Sequence, residues 1–400
     1  MIVMRALKPW FNAEHEGNVE VGQIFIASEQ RAKVLEVNGL ATRDDEIANG
    51  ARTAATLIPL LIQGMHGLGD NIHQRAVIRQ LMEQHEIWLE TPWPCVYHDL
   101  VGPRLKLLNK NSYLRTQAKN AKREAKNYSR ITSVAGMKAM RIWYTHDGIR
   151  KSGFLGAMMD NCRCDDAAAD YRMPIAAKWI KKAHAKLEQW QPTKPLLIYR
   201  PLVERIEWNG CAARNPDHAA YAALFNSIRE SFFVISIADT APGKEWIVGP
   251  KVKADVECHE GELDFETIAA LTASAALMFC SPGFALILAQ SVSTPNVCVF
   301  GGHESSRLYS AGARFAPFLG IDPIKPCECF SKDHRCAKAI DLPKVRARLE
   351  EFVYVATEGS KIATRYPGDK LGRTSKAVHE SGRTRSADRT RSLGASQGGA

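Results

Sequence analysis

The stretch Leu57–Ile62 (LIPLLI), followed by Gly64, decides the fold of this chain. It is a short apolar run of the kind found in strands that are buried on both faces of a parallel sheet. Apolar residues at helical spacing predict a helix over 71–85, and 86–90 (EIWLE) predicts the next strand. Strand, helix and strand within about 35 residues form a βαβ unit, which implies a parallel sheet.

A second and more regular alternation begins after Pro192 and Pro195. The predicted strands are 196–199, 232–237, 276–280 and 296–300, and the predicted helices are 216–231, 265–274 and 284–292. Alternation of this kind is typical of an open, doubly wound sheet, in which ligands bind at the carboxyl ends of the strands. The predicted fold class is therefore α/β with two Rossmann-like doubly wound lobes, bridged by a helix over 168–190.

The pattern divides the chain into four parts. They are a small module (1–46), the N-terminal lobe (51–190), the C-terminal lobe (191–356) and a tail (357–400). In the small module, strands are predicted at 3–7 and 23–27 and a helix at 28–38. Through Val21–Phe25 (VGQIF) the first part resembles small modules of bacteriophage proteins, which suggests a phage-encoded chain. The tail is rich in Gly, Ser, Thr and Arg and lacks apolar spacing, so we expect it to be disordered and basic.

The net charge of +10 is concentrated in two segments. Segments 101–130 and 359–400 carry +8 and +6, so the rest of the chain is mildly acidic. Nucleic-acid binding by these segments is the third and weakest of our functional hypotheses, because such runs commonly form solvated faces.

Apolar runs and cysteines bear on where the protein works. No apolar run approaches the ~20 residues that span a bilayer, and the N-terminal residues lack the features of a signal peptide. Ten cysteines in 400 residues are too dilute for a disulfide framework. We therefore expect a cytoplasmic protein with no membrane span.

The first candidate functional motif is Gly64–Asn71 (GMHGLGDN), between the first buried strand and its helix. Glycines allow the backbone to approach a ligand closely, and the start of a helix attracts negative charge. From its residue type alone, Asp70 is either an N-cap of the helix or a functional carboxylate.

This motif resembles the Gly-Asp opening of the lipopolysaccharide heptosyltransferases, which form glycosyltransferase family 9 and have the two-lobed fold named GT-B. The resemblance implies that Asp70 is the catalytic base and that Gly69 lies in the donor-binding set. It also implies that 51–190 binds the acceptor and that 191–356 binds the nucleotide-sugar. The family proline that follows the motif is absent, and Arg75 and Ala76 stand in its neighbourhood.

Arg200 and Arg205 follow the strand 196–199 and resemble the basic position that the family places before a tryptophan, here Trp208. The family lysine is Ile206 in this chain, so phosphate binding would fall to Arg200 or Arg205. An arginine fork suits a diphosphate. The alternative for either arginine is a surface salt bridge with Glu204 or Glu207.

Segments 263–284 and 289–302 resemble the family's donor signature, in correct order and spacing. The resemblance implies that Ser281, Pro282, Gly283 and Phe284 bind the diphosphate through amides at a helix start. Ser281 and Leu286 stand at the positions of the family aspartate and histidine. This departure bears on which donor the chain would bind and on whether it would be active. Asp239 stands where ribose-contacting acids are common, and a plain loop cap is the alternative.

A cysteine cluster at 327–336 (CECFSKDHRC) supplies Cys327, Cys329, His334 and Cys336. Three thiols and one imidazole match a tetrahedral zinc site in number, although C-x-C-x4-H-x-C is not a common zinc spacing. A structural zinc, a redox-sensitive or disulfide-forming loop and incidental thiols are the three interpretations.

These motifs favour an inverting glycosyltransferase that needs no metal or other cofactor for catalysis. Its partners would be a nucleotide-sugar donor, ADP-heptose-like by family resemblance, and a glycan or other hydroxyl acceptor. The alternative is a non-catalytic binding or structural protein, associated with phage, that retains the GT-B fold.

Overall fold

The computed structural model describes residues 2–7, 10–12, 17–19, 24–27, 29–43, 58–130, 134, 136–207, 212–331 and 333–364. The chain divides into two compact units, one formed by 1–148 and 154–171 and the other by 149–153 and 172–400. No helix among the described residues is both long and apolar enough to cross a membrane.

The first residues fold into a small antiparallel sheet with one helix. Its elements are β1 (Ile2–Ala6), β2 (Trp10–Asn12), β3 (Gly17–Val19), β4 (Ile24–Ala27), α1 (Glu29–Val37) and β5 (Ala41–Arg43). Strand β1 lies between β4 and β5, and β2 pairs with β3. Met4 from the sheet packs with Ala32 and Leu35 from α1, so the apolar face of a short helix closes this core. The predicted strands and helix are confirmed, and the possible phage origin stays a prediction.

A four-stranded parallel sheet forms the rest of the first unit. Its elements are β6 (Ile58–Gln63), α2 (Leu68–Leu81), β7 (His85–Thr91), β8 (Leu105–Asn109), α3 (Arg115–Arg123), β9 (Lys138–Arg141) and α4 (His146–Asn161), of which residues 149–153 belong to the second unit. The strand order is β8-β7-β6-β9, with every neighbouring pair parallel. The predicted βαβ unit is confirmed as β6, α2 and β7.

The second unit is built on a six-stranded parallel sheet. Its elements are α5 (Ala177–Trp190), β10 (Leu196–Tyr199), β11 (Val203–Arg205), α6 (His218–Ile228), β12 (Phe233–Ile237), β13 (Glu245–Ile247), β14 (Val256–Cys258), α7 (Phe265–Ser274), β15 (Leu277–Cys280), α8 (Phe284–Ser291), β16 (Asn296–Val299), β17 (Phe318–Ile321) and α9 (Leu342–Thr364). The main sheet has the order β14-β12-β10-β15-β16-β17, and β11 pairs with β13 outside it. Both units are thus doubly wound, and the predicted fold class is confirmed.

Aromatic rings fill the core of the second unit. Tyr199 of β10 lies 4.2 Å from Phe225 of α6 between ring centroids, and Phe279 of β15 packs on both. All four residues of β10, β15 and β16 are buried, as expected for strands covered on both faces.

The predicted bridging helix differs from the observed one in two respects. Helix α5 begins at Ala177 and not at 168, and Met173, which directly precedes Pro174, is biased away from the helical conformation. It also belongs with the second unit. Trp179 packs edge-on against Phe265 of α7, and Lys182 forms salt bridges with Asp264 and Glu266. The unit boundary therefore lies at 171/172 and not at 190.

Two further expectations change in the structure. The basic, Asn- and Lys-rich composition of 104–130 predicts an exposed helix, but Leu105–Asn109 form β8, because Leu105 and Leu107 are buried against the sheet. The predicted tail begins later than 357, since α9 continues to Thr364. Residues 365–400 lie outside the described part of the chain, as do Trp208 and residues 44–50.

Candidate functional site

The loop between β6 and α2 carries Asp70 into the first turn of the helix. Gly67 is the N-cap residue, with an extended backbone, so Asp70 is the third helical residue and Gly69 the second. The interpretation of Asp70 as an N-cap is therefore wrong. A carboxylate in the first turn is still favoured by the helix dipole.

Asp70 lies where the strand order of the first sheet reverses. The chain runs from β6 to β7 and β8 on one side, and β9 returns to the other side of β6. Such a reversal opens a crevice at the carboxyl ends of the strands, where α/β proteins bind ligands. Tyr144, which follows β9, donates a hydrogen bond of 2.7 Å to Asp70 Oδ1. The two loops that flank the crevice thus meet through one carboxylate and one hydroxyl.

Buried polar groups hold this loop in place. Asn71 donates to the carbonyls of Met65 and Gly67 at 2.8 and 2.7 Å, and its own oxygen accepts a 2.6 Å bond from Thr91. Gln74 accepts from the Met65 amide at 3.0 Å and donates to Asn71. Because these partners come from β7 and α2, the position of Asp70 is defined by rigid elements on both sides.

His73 belongs to the core of the first unit. It is buried in α2 and packs edge-on against Tyr171, with 4.8 Å between ring centroids. Burial lowers the pKa of His73 to about 3, so the imidazole is neutral at physiological pH. It is a packing residue and not a second catalytic group of the motif.

A cluster of charged side chains lies at the same edge of the sheet. Lys110 after β8 donates to the carbonyl of Gly64, and its pKa is lowered by burial, with Glu90 opposing and Arg141 adding to this effect. The pKa of His66 is lowered by burial and then by the positive charges of Lys110 and Arg141. Sequence reasoning missed Lys110, Arg141 and Tyr144, because nothing in their local pattern shows that β8 and β9 end at the same edge of the sheet as β6.

Gly64 provides a direct test of this packing. A Cβ at residue 64 would lie 2.6 Å from the carbonyl oxygen of Glu90 and 2.9 Å from Gln74 Nε2. We expect Gly64→Ala to lower the free energy of unfolding by about 1–3 kcal/mol, as overpacking does elsewhere. Urea denaturation measures this, with Gly102→Ala as the control because a Cβ there meets nothing within 4 Å. Equal stability of the two variants would contradict the described loop.

Arg200 occupies the corresponding edge of the second sheet. The order reverses beside β10, since β12 and β14 lie on one side and β15 to β17 on the other. Arg200 follows β10, donates to the Ile237 carbonyl at 2.8 Å and lies 5.5 Å above the ring of Phe284. The structure therefore brings together Arg200 and Phe284, two of the residues that the sequence assigned to donor binding.

Glu245 connects the two candidate phosphate ligands. Its Oε1 lies 3.3 Å from Arg205 and 3.6 Å from Arg200, and the carboxylate is only 4% exposed. The salt-bridge alternative named Glu204 or Glu207 as partner, and the ion pair described by the structure is with Glu245. The antiparallel pairing of β11 and β13 places Arg205 directly opposite Glu245, a contact that sequence separation hides.

The segment 281–284 leads from β15 into α8. Gly283 has a φ of +150° and stands at the N-cap position of α8, where a Cβ would meet nothing within 4 Å. Ser281, Pro282, Gly283 and Phe284 are all partly exposed. Leu286 is fully buried in α8, so the position of the family histidine faces the core in this chain.

Asp239 lies just beyond β12, where it forms an isolated antiparallel bridge with Glu260. Burial lowers the pKa of Arg200, and the negative charges of Glu245 and Asp239 oppose this effect. The Thr240 hydroxyl donates a hydrogen bond of 2.8 Å to the His259 carbonyl. The Ser236 hydroxyl forms a hydrogen bond of 2.7 Å with the His259 ring. His259 was not among the residues predicted from the sequence. An isolated histidine outside any motif gives no indication of a functional role.

A buried polar network follows β16. Glu304 accepts hydrogen bonds from Tyr309 at 2.6 Å and from Arg214 at 3.0 Å. The Arg214 guanidinium also pairs with the other carboxylate oxygen at 2.9 Å. The sequence offered no sign of this network, because its members lie up to 95 residues apart.

The four residues of the cysteine cluster meet in space. The ligand atoms of Cys327, Cys329, His334 and Cys336 all lie within 4.8 Å of one another. The nine cysteines among the described residues are free thiols.

No family model matches the chain, and no curated protein matches its sequence. The chain is similar to the structure of a glycosyl transferase of family 9 from Veillonella parvula, with a TM-score of 0.48, 10% identity and coverage of 74% of this chain and 97% of that one. It is also similar to E. coli ADP-heptose heptosyltransferase II, with a TM-score of 0.43, 15% identity and coverage of 74% and 99%.

A third similar structure is the iron-containing dodecameric glycosyltransferase TibC from enterotoxigenic E. coli. Its TM-score is 0.46 at 13% identity, with coverage of 90% of this chain and 91% of that one. Because each TM-score is below 0.5, the fold assignment rests on the sheet orders of this chain.

Proposed function

We propose that this protein is a glycosyltransferase that moves a sugar from a nucleotide-sugar to an acceptor hydroxyl. The observation that carries the proposal is the Asp70–Tyr144 pair, at the strand reversal of a doubly wound unit in a chain that contains a second such unit. A carboxylate fixed at a ligand-binding edge is suited to general-base chemistry. The second unit carries arginine side chains and the N-terminal end of α8 at the point where its own strand order reverses.

Asp70 would accept the proton of the acceptor hydroxyl while that oxygen attacks the anomeric carbon. The bond from this carbon to the nucleotide diphosphate breaks in the same step, so one displacement inverts the configuration. Arg200 and Arg205 would stabilise the charge on the leaving diphosphate, and the amides at the start of α8 would add to this. Asp239 would contact the ribose. No metal is assigned a role in this step.

The donor class rests on the sequence resemblance. The segments 263–284 and 289–302 favour an ADP-heptose-like donor, and Ser281 in place of the family aspartate suggests that the donor differs in detail. The acceptor would be a glycan or another hydroxyl compound, and Lys110 and Arg141 would favour one that carries negative charge. Because ten cysteines in 400 residues are too dilute for a disulfide framework, we propose that the reaction takes place in the cytoplasm.

Donor binding tests the proposal through Arg205. We expect one family among ADP-, UDP-, GDP- and CMP-sugars to raise the melting temperature of the wild-type protein. Arg205→Ala should weaken that nucleotide by about 10- to 100-fold, as expected for the loss of a charged hydrogen bond to phosphate. Calorimetric titration of the identified nucleotide measures the change.

Arg346→Ala provides the matched control, because Arg346 is exposed on α9 and is not among the residues assigned to donor binding. Arg200→Lys, which keeps the positive charge beside Glu245, gives a second variant in case Arg205→Ala is unstable. If no nucleotide-sugar binds the wild-type protein, the transferase proposal is overturned.

The second candidate function is a non-catalytic binding or phage-associated structural protein. Two observations favour it, namely the buried Leu286 at the position of the family histidine and the pairing of both arginines with Glu245. It predicts that nucleotide-sugars leave the melting temperature unchanged, which separates it from the transferase by the same titration.

A further inference from the structure

We propose that Cys327, Cys329, His334 and Cys336 form a zinc site in the second unit. The site is separate from the groups that the transferase reaction would use. It requires no partner chain, because the four ligands lie within ten consecutive residues.

The distances support a single tetrahedral ion. The four ligand atoms lie within 4.8 Å of one another, and Cys327 Sγ is 3.1 Å from His334 Nε2. Zinc bonds of 2.3 Å to sulfur imply about 3.7 Å between the thiolates of a tetrahedral site. A contraction of about 1 Å in the longest separations, small for exposed cysteines, would therefore complete the coordination.

The backbone around Cys329 is already turned so that two closely spaced cysteines point to the same place. Glu328 and Phe330 both have positive φ, at 45° and 53°, which is uncommon for residues other than glycine. The amide of Ser331 donates to Cys329 Sγ at 3.5 Å. This local conformation overcomes the difficulty of the C-x-C spacing, in which an extended backbone would direct the two side chains to opposite faces.

The ligand set and its surroundings favour zinc. Three thiolates and one imidazole are soft and borderline donors, whereas magnesium and calcium prefer oxygen ligands. Three thiolates with one zinc ion carry a net charge of −1, and nearby cations offset it. Arg150 donates to the carbonyls of Glu328 and Cys329 at 3.1 and 3.3 Å, and Lys338 lies beyond Cys336.

The proposed ion would stabilise the connection between the loops that follow β16 and β17. The amides of Cys327 and Glu328 both donate to the Gly302 carbonyl, at 3.1 and 2.8 Å. The Glu328 carboxylate accepts from Ser305 and pairs with Arg307. Zinc would therefore hold Glu328 at the carboxyl edge of the second sheet, in a structural and not a catalytic role.

Metal analysis of the full chain tests the site. The protein is expressed in zinc-supplemented medium, purified without chelator or histidine tag, and measured by mass spectrometry of the elements. We expect about one zinc ion per chain in the wild-type protein and less than about a tenth of that in Cys329→Ser and Cys336→Ser. Cys164→Ser, which removes another partly exposed thiol, should retain the wild-type content.

Two further measurements keep the proposal testable if the serine variants do not fold. Cobalt substituted into the wild-type protein should give the intense visible bands of a tetrahedral thiolate site, and Cys336→His should keep the metal because it preserves the number of ligands. Wild-type protein that contains no zinc, that contains iron in its place, or that forms a disulfide within 327–336 would overturn the assignment.

Discussion

Asp70→Asn is expected to lower kcat for sugar transfer by about 10²- to 10⁴-fold, the usual contribution of a general base. The amide has nearly the same shape as the carboxylate and can still accept the hydrogen bond from Tyr144. It cannot accept the proton of the acceptor hydroxyl. The effect should therefore appear in kcat, while the affinity for the nucleotide-sugar stays within about twofold of wild type.

The control for this experiment is Glu83→Gln, an exposed carboxylate just after the end of α2, where the same chemical change should leave kcat unchanged. Tyr144→Phe should lower kcat by about tenfold, the value of one orienting hydrogen bond. The double variant should be no slower than Asp70→Asn alone, because Tyr144 acts through Asp70. Wild-type turnover by Asp70→Asn would remove Asp70 from the mechanism.

Asp99→Asn is expected to lower the free energy of unfolding by about 3 kcal/mol at pH 7, because it leaves the buried Arg75 without its charged partner. The Arg75 side chain is 0% exposed and makes two hydrogen bonds to Asp99, at 2.8 and 2.7 Å. This pair joins α2, which carries Asp70, to the segment after β7. Chemical denaturation with two-state analysis measures the loss.

Two comparisons sharpen that experiment. Glu230→Gln removes the exposed partner of Arg229 and should change stability by less than about 0.5 kcal/mol. Arg75→Met combined with Asp99→Asn should recover part of the loss, since the double variant buries no unpaired charge. A cost for Asp99→Asn no larger than that for Glu230→Gln would contradict the described burial.

The same pair predicts a dependence of stability on pH. Burial alone would raise the pKa of Asp99, but the hydrogen bonds and charge of Arg75 outweigh it and hold the pKa below its usual value. A carboxyl with a depressed folded-state pKa contributes stability that is fully present above about pH 3.9 and is lost as the pH falls through the folded-state pKa. The difference in stability between wild type and Asp99→Asn should therefore shrink below about pH 4.

Local patterns in the sequence determined much of the fold. The run Leu57–Ile62 and the alternation after Pro195 predicted the central strands of both sheets, because a strand buried on both faces must be apolar along its length. Strands β8 and β9 were missed, since Lys106 and Lys138 interrupt their apolar character. The start of α5 was missed because the helical periodicity continues upstream of Pro174.

The sequence by itself also predicted which residues form two of the candidate sites, namely Asp70 after its glycines and the four proposed metal ligands within 327–336. Their short spacing is what makes them readable, since neighbours in sequence are neighbours in space. Tertiary structure alone decided the partners. Tyr144 meets Asp70, and Glu245 meets Arg200 and Arg205, because strand order and register bring distant segments to the same edge of a sheet. Burial likewise made His73 and Leu286 core residues, a property that depends on which side of a helix faces its sheet and that no single motif contains.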